Sequence, residues 1–174
     1  MKKKSNIIAL IVVLVLVVIM GVALVLNKAG LDANKEAFEN IQLNVFENGE
    51  KVGTISYEEI VALGAVEFEA IHDTSKTEPV VENYKGVELK KIFEHFDISL
   101  EDKSAVTGTA VDNFAMAYTA EEVLEDDNLY VTFERNGESI QGEEEDGSGP
   151  LLIIVKNDLF SNRRCKWLVS VGAE

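Results

Sequence analysis

The chain predicts a sheet-dominated α+β domain carried behind one hydrophobic helix. Three observations point there. Ile7–Leu26 holds no charge, no Pro and no polar side chain. Beyond it, short apolar runs alternate with polar residues and stop at Asn-Gly pairs, the pattern of half-buried strands and tight hairpins. Between those runs stand two Ser/Thr-x-x-Glu boxes and one apolar stripe at helical spacing, which call for short helices.

The 20 residues Ile7–Leu26, at about 1.5 Å each, make a helix of roughly 30 Å, the thickness of a bilayer's hydrocarbon core. A cleaved signal has a shorter apolar stretch and small residues before its cleavage site. Here the run ends Val25-Leu26-Asn27-Lys28. A retained anchor is therefore expected over 7–26, with 1–6 as its basic flank. Lys2, Lys3 and Lys4 stay cytoplasmic, so the rest of the chain faces outward at the cell membrane. Residues 27–37 are read as a polar tether, and 38–174 as one extracytoplasmic domain with a single core.

In chain order, Ile41–Phe46 and Lys51–Ile55 flank Asn48-Gly49 as a hairpin. Ser56-Tyr57-Glu58-Glu59 is a capping box that opens a short helix through about Leu63. Val66, Phe68 and Ala70 alternate with glutamates as a half-buried strand. Thr74–Asn83, with Pro79, reads as loop. Leu89, Ile92, Phe93 and Phe96 fall on one helical face, so a helix is expected from Val87. Ala105–Val111 and the alternating Phe114, Met116 and Tyr118 are strands. Thr119-Ala120-Glu121-Glu122 is a second capping box. Leu129–Glu134 is a strand ending at Asn136-Gly137, and Ser139–Gly149 is loop. Leu151–Val155 and Lys166–Val171 complete the sheet.

Composition excludes several function classes. Removing Lys2, Lys3, Lys4 and Lys28 from the 16 basic residues leaves 12 against 31 acidic ones, a formal charge of −19 beyond Lys28. Such a surface repels nucleic acid and anionic lipid headgroups. One Cys and two His rule out a disulfide framework and an ordinary zinc site. Glu143-Glu144-Glu145-Asp146 offers oxygen ligands for calcium, but lacks the alternation of an EF-hand loop and reads as a solvated charge run.

The candidate binding residues are cationic. Arg163, Arg164 and Lys166, beside Lys156, form the one basic cluster of an acidic domain and suit a phosphate-like anion. Strand phase puts Arg164 and Lys166 on one face and Cys165, Trp167 and Val169 on the other. Cys165 is then an inert core thiol. Trp167 and Phe114 read as core aromatics. His72 and His95 read as structural.

Three segments carry a resemblance. They are Tyr84-Lys85-Gly86-Val87-Glu88-Leu89; Val111-Asp112-Asn113-Phe114 followed by Tyr118–Leu124 and Asn136-Gly137-Glu138-Ser139-Ile140; and Gly149-Pro150-Leu151–Val155 with Lys166-Trp167-Leu168. In this order they resemble the molybdopterin-binding domain of the sulfite-oxidase family, over roughly Val66 to Val171. The resemblance implies that fold, a pterin cofactor, and cofactor contacts at Lys166, Arg164, Arg163, Asp112 and Phe114. It also implies a Cys thiolate on molybdenum, a soft ligand for the metal. Ala70 falls about where that Cys would stand, and Leu152 where the family places an Arg. Metal-dependent catalysis is therefore not expected, and no catalytic or metal-ligating residue is assigned. The leading expectation is a non-catalytic module for a pterin-like or other small anionic ligand, or for an envelope partner. A molybdenum-dependent oxidoreductase and a purely structural interaction domain are the alternatives.

Overall fold

The computed structural model describes residues 2–74, 77–140 and 147–174. The acidic run Glu143–Asp146, weighed above for calcium, lies outside them. The chain divides into two compact units, Met1–Ala33 and Asn34–Glu174.

Helix α1 spans Lys2–Glu39. The segment 27–37, expected as a tether, is helical within it. Its Ala, Leu, Lys and Glu residues are good helix formers. Among the described residues no helix is long and apolar enough to cross a membrane. The expected anchor lies partly outside what is described, because the side chains of residues 7–11 and 23–27 are not included. The large apolar side chains between Val12 and Val22 are about half exposed or more.

The second unit is two five-stranded sheets with short helices, the sheet-dominated α+β class expected. The first sheet has the order β2-β1-β10-β5-β6. Its strands are β1 (Gln42–Glu47), β2 (Glu50–Ser56), β5 (Ala105–Ala110), β6 (Ala115–Thr119) and β10 (Leu168–Ala173). β1 and β10 run parallel, and the other pairs are antiparallel. The second sheet has the order β3-β4-β7-β8, with β9 also on β7. Its strands are β3 (Val66–Thr74), β4 (Thr77–Glu88), β7 (Leu129–Arg135), β8 (Glu138–Ser139) and β9 (Leu152–Val155).

The local grammar holds where the chemistry is local. Asn48 and Gly49 (φ 48° and 81°) and Asn136 and Gly137 (φ 53° and 82°) both sit in the left-handed region that a two-residue hairpin turn demands. Helices α2 (Tyr57–Ala62) and α4 (Ala120–Leu124) open on complete capping boxes, Ser56 with Glu59 and Thr119 with Glu122. Helix α3 covers Leu89–His95 and buries Leu89, Ile92 and Phe93.

Two expectations about the strands fail. The segment 74–83 is no loop: from Thr77 it is the first half of β4. Pro79 is tolerated because β4 pairs with β7 only from Tyr84 onward, and because the β3–β4 register shifts beside it, between His72 and Thr74. The last strand starts at Leu168 rather than Lys166. Trp167 takes φ 50°, a conformation costly for a bulky residue, and breaks the strand there. The face assignment of Arg164 and Lys166 by strand phase fails with it. Trp167 is half-buried, and its N–H donates to the Ser148 carbonyl while its own carbonyl accepts from Val111.

The main core fills the space between the sheets, with Leu43, Val45, Ile55, Val106 and Val171 from one and Val87, Leu129, Val131, Phe133 and Ile153 from the other. A second cluster lies on the opposite face of the β3-β4-β7 sheet: Phe68, Ala70, Tyr84, Tyr130, Ile140, Leu152 and Ile154. That sheet is thus buried on both sides over β7 and β9, and the second cluster leads to the site.

Candidate functional site

Alternation along β3 puts Phe68, Ala70 and His72 on one face, and pairing sets them opposite Tyr84, Glu82 and Val80 of β4. The Phe68 ring stacks on Tyr130 at 4.1 Å between centroids, and lies 5.9 Å from Tyr84. Ala70, only 5% exposed, stands in this row between the aromatic stack and a polar cluster.

Arg164 builds that cluster. It follows the 3₁₀ turn Ser161–Arg163, which is held against β3. The Ser161 hydroxyl donates to the Ile71 carbonyl (2.8 Å) and accepts from the Asp73 N–H (2.8 Å). The Arg164 guanidinium then lies 5.0 Å above the Tyr84 ring centroid. One of its nitrogens donates to the Tyr84 hydroxyl (2.9 Å) and sits 3.2 Å from His72 Nδ1; the other donates to the Ile71 carbonyl (2.6 Å). The Tyr84 hydroxyl donates to Glu82 (2.9 Å), whose Oε2 is also 3.6 Å from His72 Nδ1 and 3.9 Å from Arg135. One carboxylate thus serves an Arg, a His and, through a tyrosine, a second Arg.

Burial holds the His72 imidazole below its usual pKa; Glu82 opposes this, and Arg164, Arg135 and Lys166 reinforce it. Burial also raises the Tyr84 phenol, against the pull of Arg164.

The other expected residues go elsewhere. Arg163 turns away from its neighbour and makes a two-pronged pair with Asp158 (2.8 and 2.5 Å) and a third bond to Glu122 (2.7 Å). Those carboxylates push its pKa up, and the guanidinium is committed to them. Lys166 is exposed. Asp112 and Phe114 lie in the β5–β6 turn of the other sheet, where the Asp112 carboxylate accepts the Phe114 N–H (2.9 Å). Phe114 is 49% exposed, not the core aromatic expected. Lys156 pairs with Asp127. Leu152 is buried in the outer cluster. Cys165 is fully buried, and burial together with the Asp112 charge pushes its thiol up to about 12, so it is chemically quiet.

Sequence reading overlooked Glu82 and Arg135. Glu82 sat in the segment read as loop, and Arg135 at the end of a strand. Only the β3-β4-β7 register brings either to Arg164. His72 alone was detectable, since its phase matches Ala70.

No family model matches the chain, and no curated protein does. Among solved structures 25 chains match. One is the sulfane dehydrogenase SoxCD from Paracoccus pantotrophus, with TM-score 0.62 and 14% identity. The likeness is one of fold. It covers 76% of this chain, which spans 37% of the length of that one.

A thiolate-held metal does not fit the residues present. The place where the family resemblance puts the ligand carries the methyl group of Ala70. The chain's one Cys lies buried beside Ile153 instead. Among the described residues no group of three or more His, Cys, Asp or Glu could hold a metal ion.

Proposed function

We propose that this is a membrane-anchored, outward-facing domain of sulfite-oxidase type that has exchanged metal chemistry for binding of a small anionic, pterin-like ligand through Arg164 and Lys166. One observation carries the reading. Where the resemblance implies a metal thiolate stands Ala70, and the next residue, Ile71, gives its carbonyl to the Arg164 guanidinium, which also meets Tyr84 and His72. A domain that keeps an ordered cation but no soft donor is suited to hold an anion, not to transfer electrons. By resemblance alone, Asp112 and Phe114 are second contacts. The anchor is supported by the uncharged run Ile7–Leu26 behind three lysines.

The test is elemental analysis and an absorbance spectrum of the full chain in detergent, purified from a host that makes the molybdenum cofactor. A pterin-like chromophore without molybdenum supports the reading. Near-stoichiometric molybdenum overturns it and makes the chain an enzyme. A second reading, a structural interaction domain for an envelope partner, is favoured by the Phe68–Tyr130 stack, which fills space beside Ala70; a chain free of both metal and chromophore selects it. Alkaline extraction of membranes tests the anchor, and release of the chain into the supernatant would refute it.

A further inference from the structure

We propose that β6 is a docking strand: an extended, basic peptide segment of a partner protein adds to its free margin as a further strand of the first sheet. The inference is independent of the ligand reading above, since β6 lies in the other sheet. Main-chain geometry carries it. In an antiparallel pair, successive residues turn their N–H and C=O groups alternately toward and away from the neighbouring strand. The Ala110 N–H donates to the Phe114 carbonyl (2.8 Å), and both main-chain groups of Ala105 are engaged with Glu174 (3.1 and 2.9 Å). With the register from Thr109↔Ala115 to Ala105↔Thr119, these bonds turn Phe114, Met116 and Tyr118 toward β5, and Ala115 and Ala117 outward. Among the described residues no bond reaches the outward N–H or C=O of either alanine. Thr119, next in phase, is closed, because its N–H donates to the Glu122 carboxylate (3.0 Å). Two donors and two acceptors thus stand free over three residues, the set that one added strand would engage.

The side chains leave this margin accessible. Edge strands are usually blunted by a charge, a proline or a bulge. Phe114–Thr119 holds no charge and no proline, and its pairing with β5 has no register shift. Ala115 and Ala117 are exposed and too small to shield the main chain. Apolar anchorage is at hand. Phe114 is exposed, and Arg163 pins the loop bearing exposed Leu159 and Phe160 to this side: its carbonyl accepts from the Tyr118 hydroxyl (2.9 Å) while its guanidinium joins Asp158 and Glu122. Charge selects the occupant. Glu101, Asp102 and Glu121 are exposed around the end of β6, where the Ala120 N–H donates to the Ser104 carbonyl (3.4 Å). The cations beside them are committed, Lys103 to Glu47 and Arg163 to Asp158 and Glu122. At the opposite end Asp112 accepts the Phe114 N–H and Lys166 is exposed near it, so a cation is drawn to the Glu121 end alone. An antiparallel newcomer begins at that end, which places Lys or Arg just before its apolar residues. A second copy of this chain would instead bring like acids together, with a formal charge of −19 beyond Lys28 on each.

The experiment uses the full chain in a neutral detergent and a fluorescent peptide, Lys-Arg-Val-Thr-Val-Thr-Val, read by anisotropy and by site-resolved amide hydrogen exchange. Binding should slow exchange at the Ala115 and Ala117 N–H groups about tenfold or more and should weaken as salt rises. The same peptide with Glu-Glu for Lys-Arg should bind about tenfold more weakly. N-methylation of alternate peptide amides should abolish binding, because it removes the main-chain donors without touching the protein. Ala117→Pro should also bind about tenfold more weakly while keeping the parent's Tm, since a proline is tolerated where its N–H would face away from the ladder. Unslowed exchange of both amides at millimolar peptide overturns the proposal, as does equal binding of the acidic or the N-methylated peptide. A chain that dimerises without peptide and turns monomeric as Ala117→Pro would assign the margin to a second copy, and overturns it too. Molybdenum or a chromophore in the purified chain bears on the ligand reading alone, so the two failures are separable.

Discussion

The two faces of the β3-β4-β7 sheet obey different rules. The inner face, where it packs against the other sheet, closes around the apolar Val87, Val131 and Phe133. The outer face begins as an aromatic stack and ends, four residues further along β3, in His72, Glu82 and two arginines. The inner face exists to bury surface. On the outer face, orienting charge competes with burial, and that is where function is to be sought.

The largest effect expected from this contrast is on the inner face. Phe93→Ala, at a fully buried position of α3, should cost about 3–5 kcal/mol of stability in urea unfolding. A loss under about 1 kcal/mol would mean that this core repacks freely. Gly86→Ala comes next. An added Cβ would stand 2.6 Å from the Val131 carbonyl oxygen, so the β4–β7 pairing must shift, at about 1–3 kcal/mol. Wild-type stability here would show that the close approach of these strands does not matter.

On the outer face, Arg164→Ala should cost about 2 kcal/mol, as its bonds to Ile71 and Tyr84 are charge-assisted. Arg164→Lys should recover little, because an ammonium cannot reach both partners as a planar fork does. Full rescue by Lys would reduce the cluster to a point charge. Ser56→Ala, which removes the α2 cap, should cost about 1 kcal/mol and leave ligand binding unchanged.

The smallest effect is a pH slope. His72 has its folded pKa below the unfolded value of about 6.5. Between those two values the unfolded chain binds more protons, so stability falls as pH drops through that window. His72→Gln should flatten the urea midpoint over this range relative to the parent; an unchanged slope would show that the imidazole does not titrate with folding.

These faces also differ in how far the sequence reveals them. Asn-Gly turns, Ser/Thr-x-x-Glu boxes and the Val66-Phe68-Ala70 alternation are local signals, and each corresponds to an element of the structure. Pro79 misled, because a proline is a break only where its missing N–H would have been used. Arg163 and Arg164 are adjacent and chemically identical, yet one joins Asp158 and the other Tyr84. What parts them is a 3₁₀ turn and the left-handed Trp167, for which the sequence offers no local pattern. The gathering of His72, Glu82 and Arg135 depends on register across three strands, which a single sequence does not display.

The Ser161 and Arg164 bonds to Ile71 and Asp73 have one further consequence. β3 is the margin of its sheet, and a bare margin invites a foreign strand to dock. Here a hydroxyl and a guanidinium occupy hydrogen-bonding positions that an incoming chain would need. Across the hairpin, Pro79 withholds a donor from the stretch of β4 that β7 does not cover. The β3–β4 pair is thus guarded on both sides against polymerisation, and on the β3 side the guard includes the cation that orders the site.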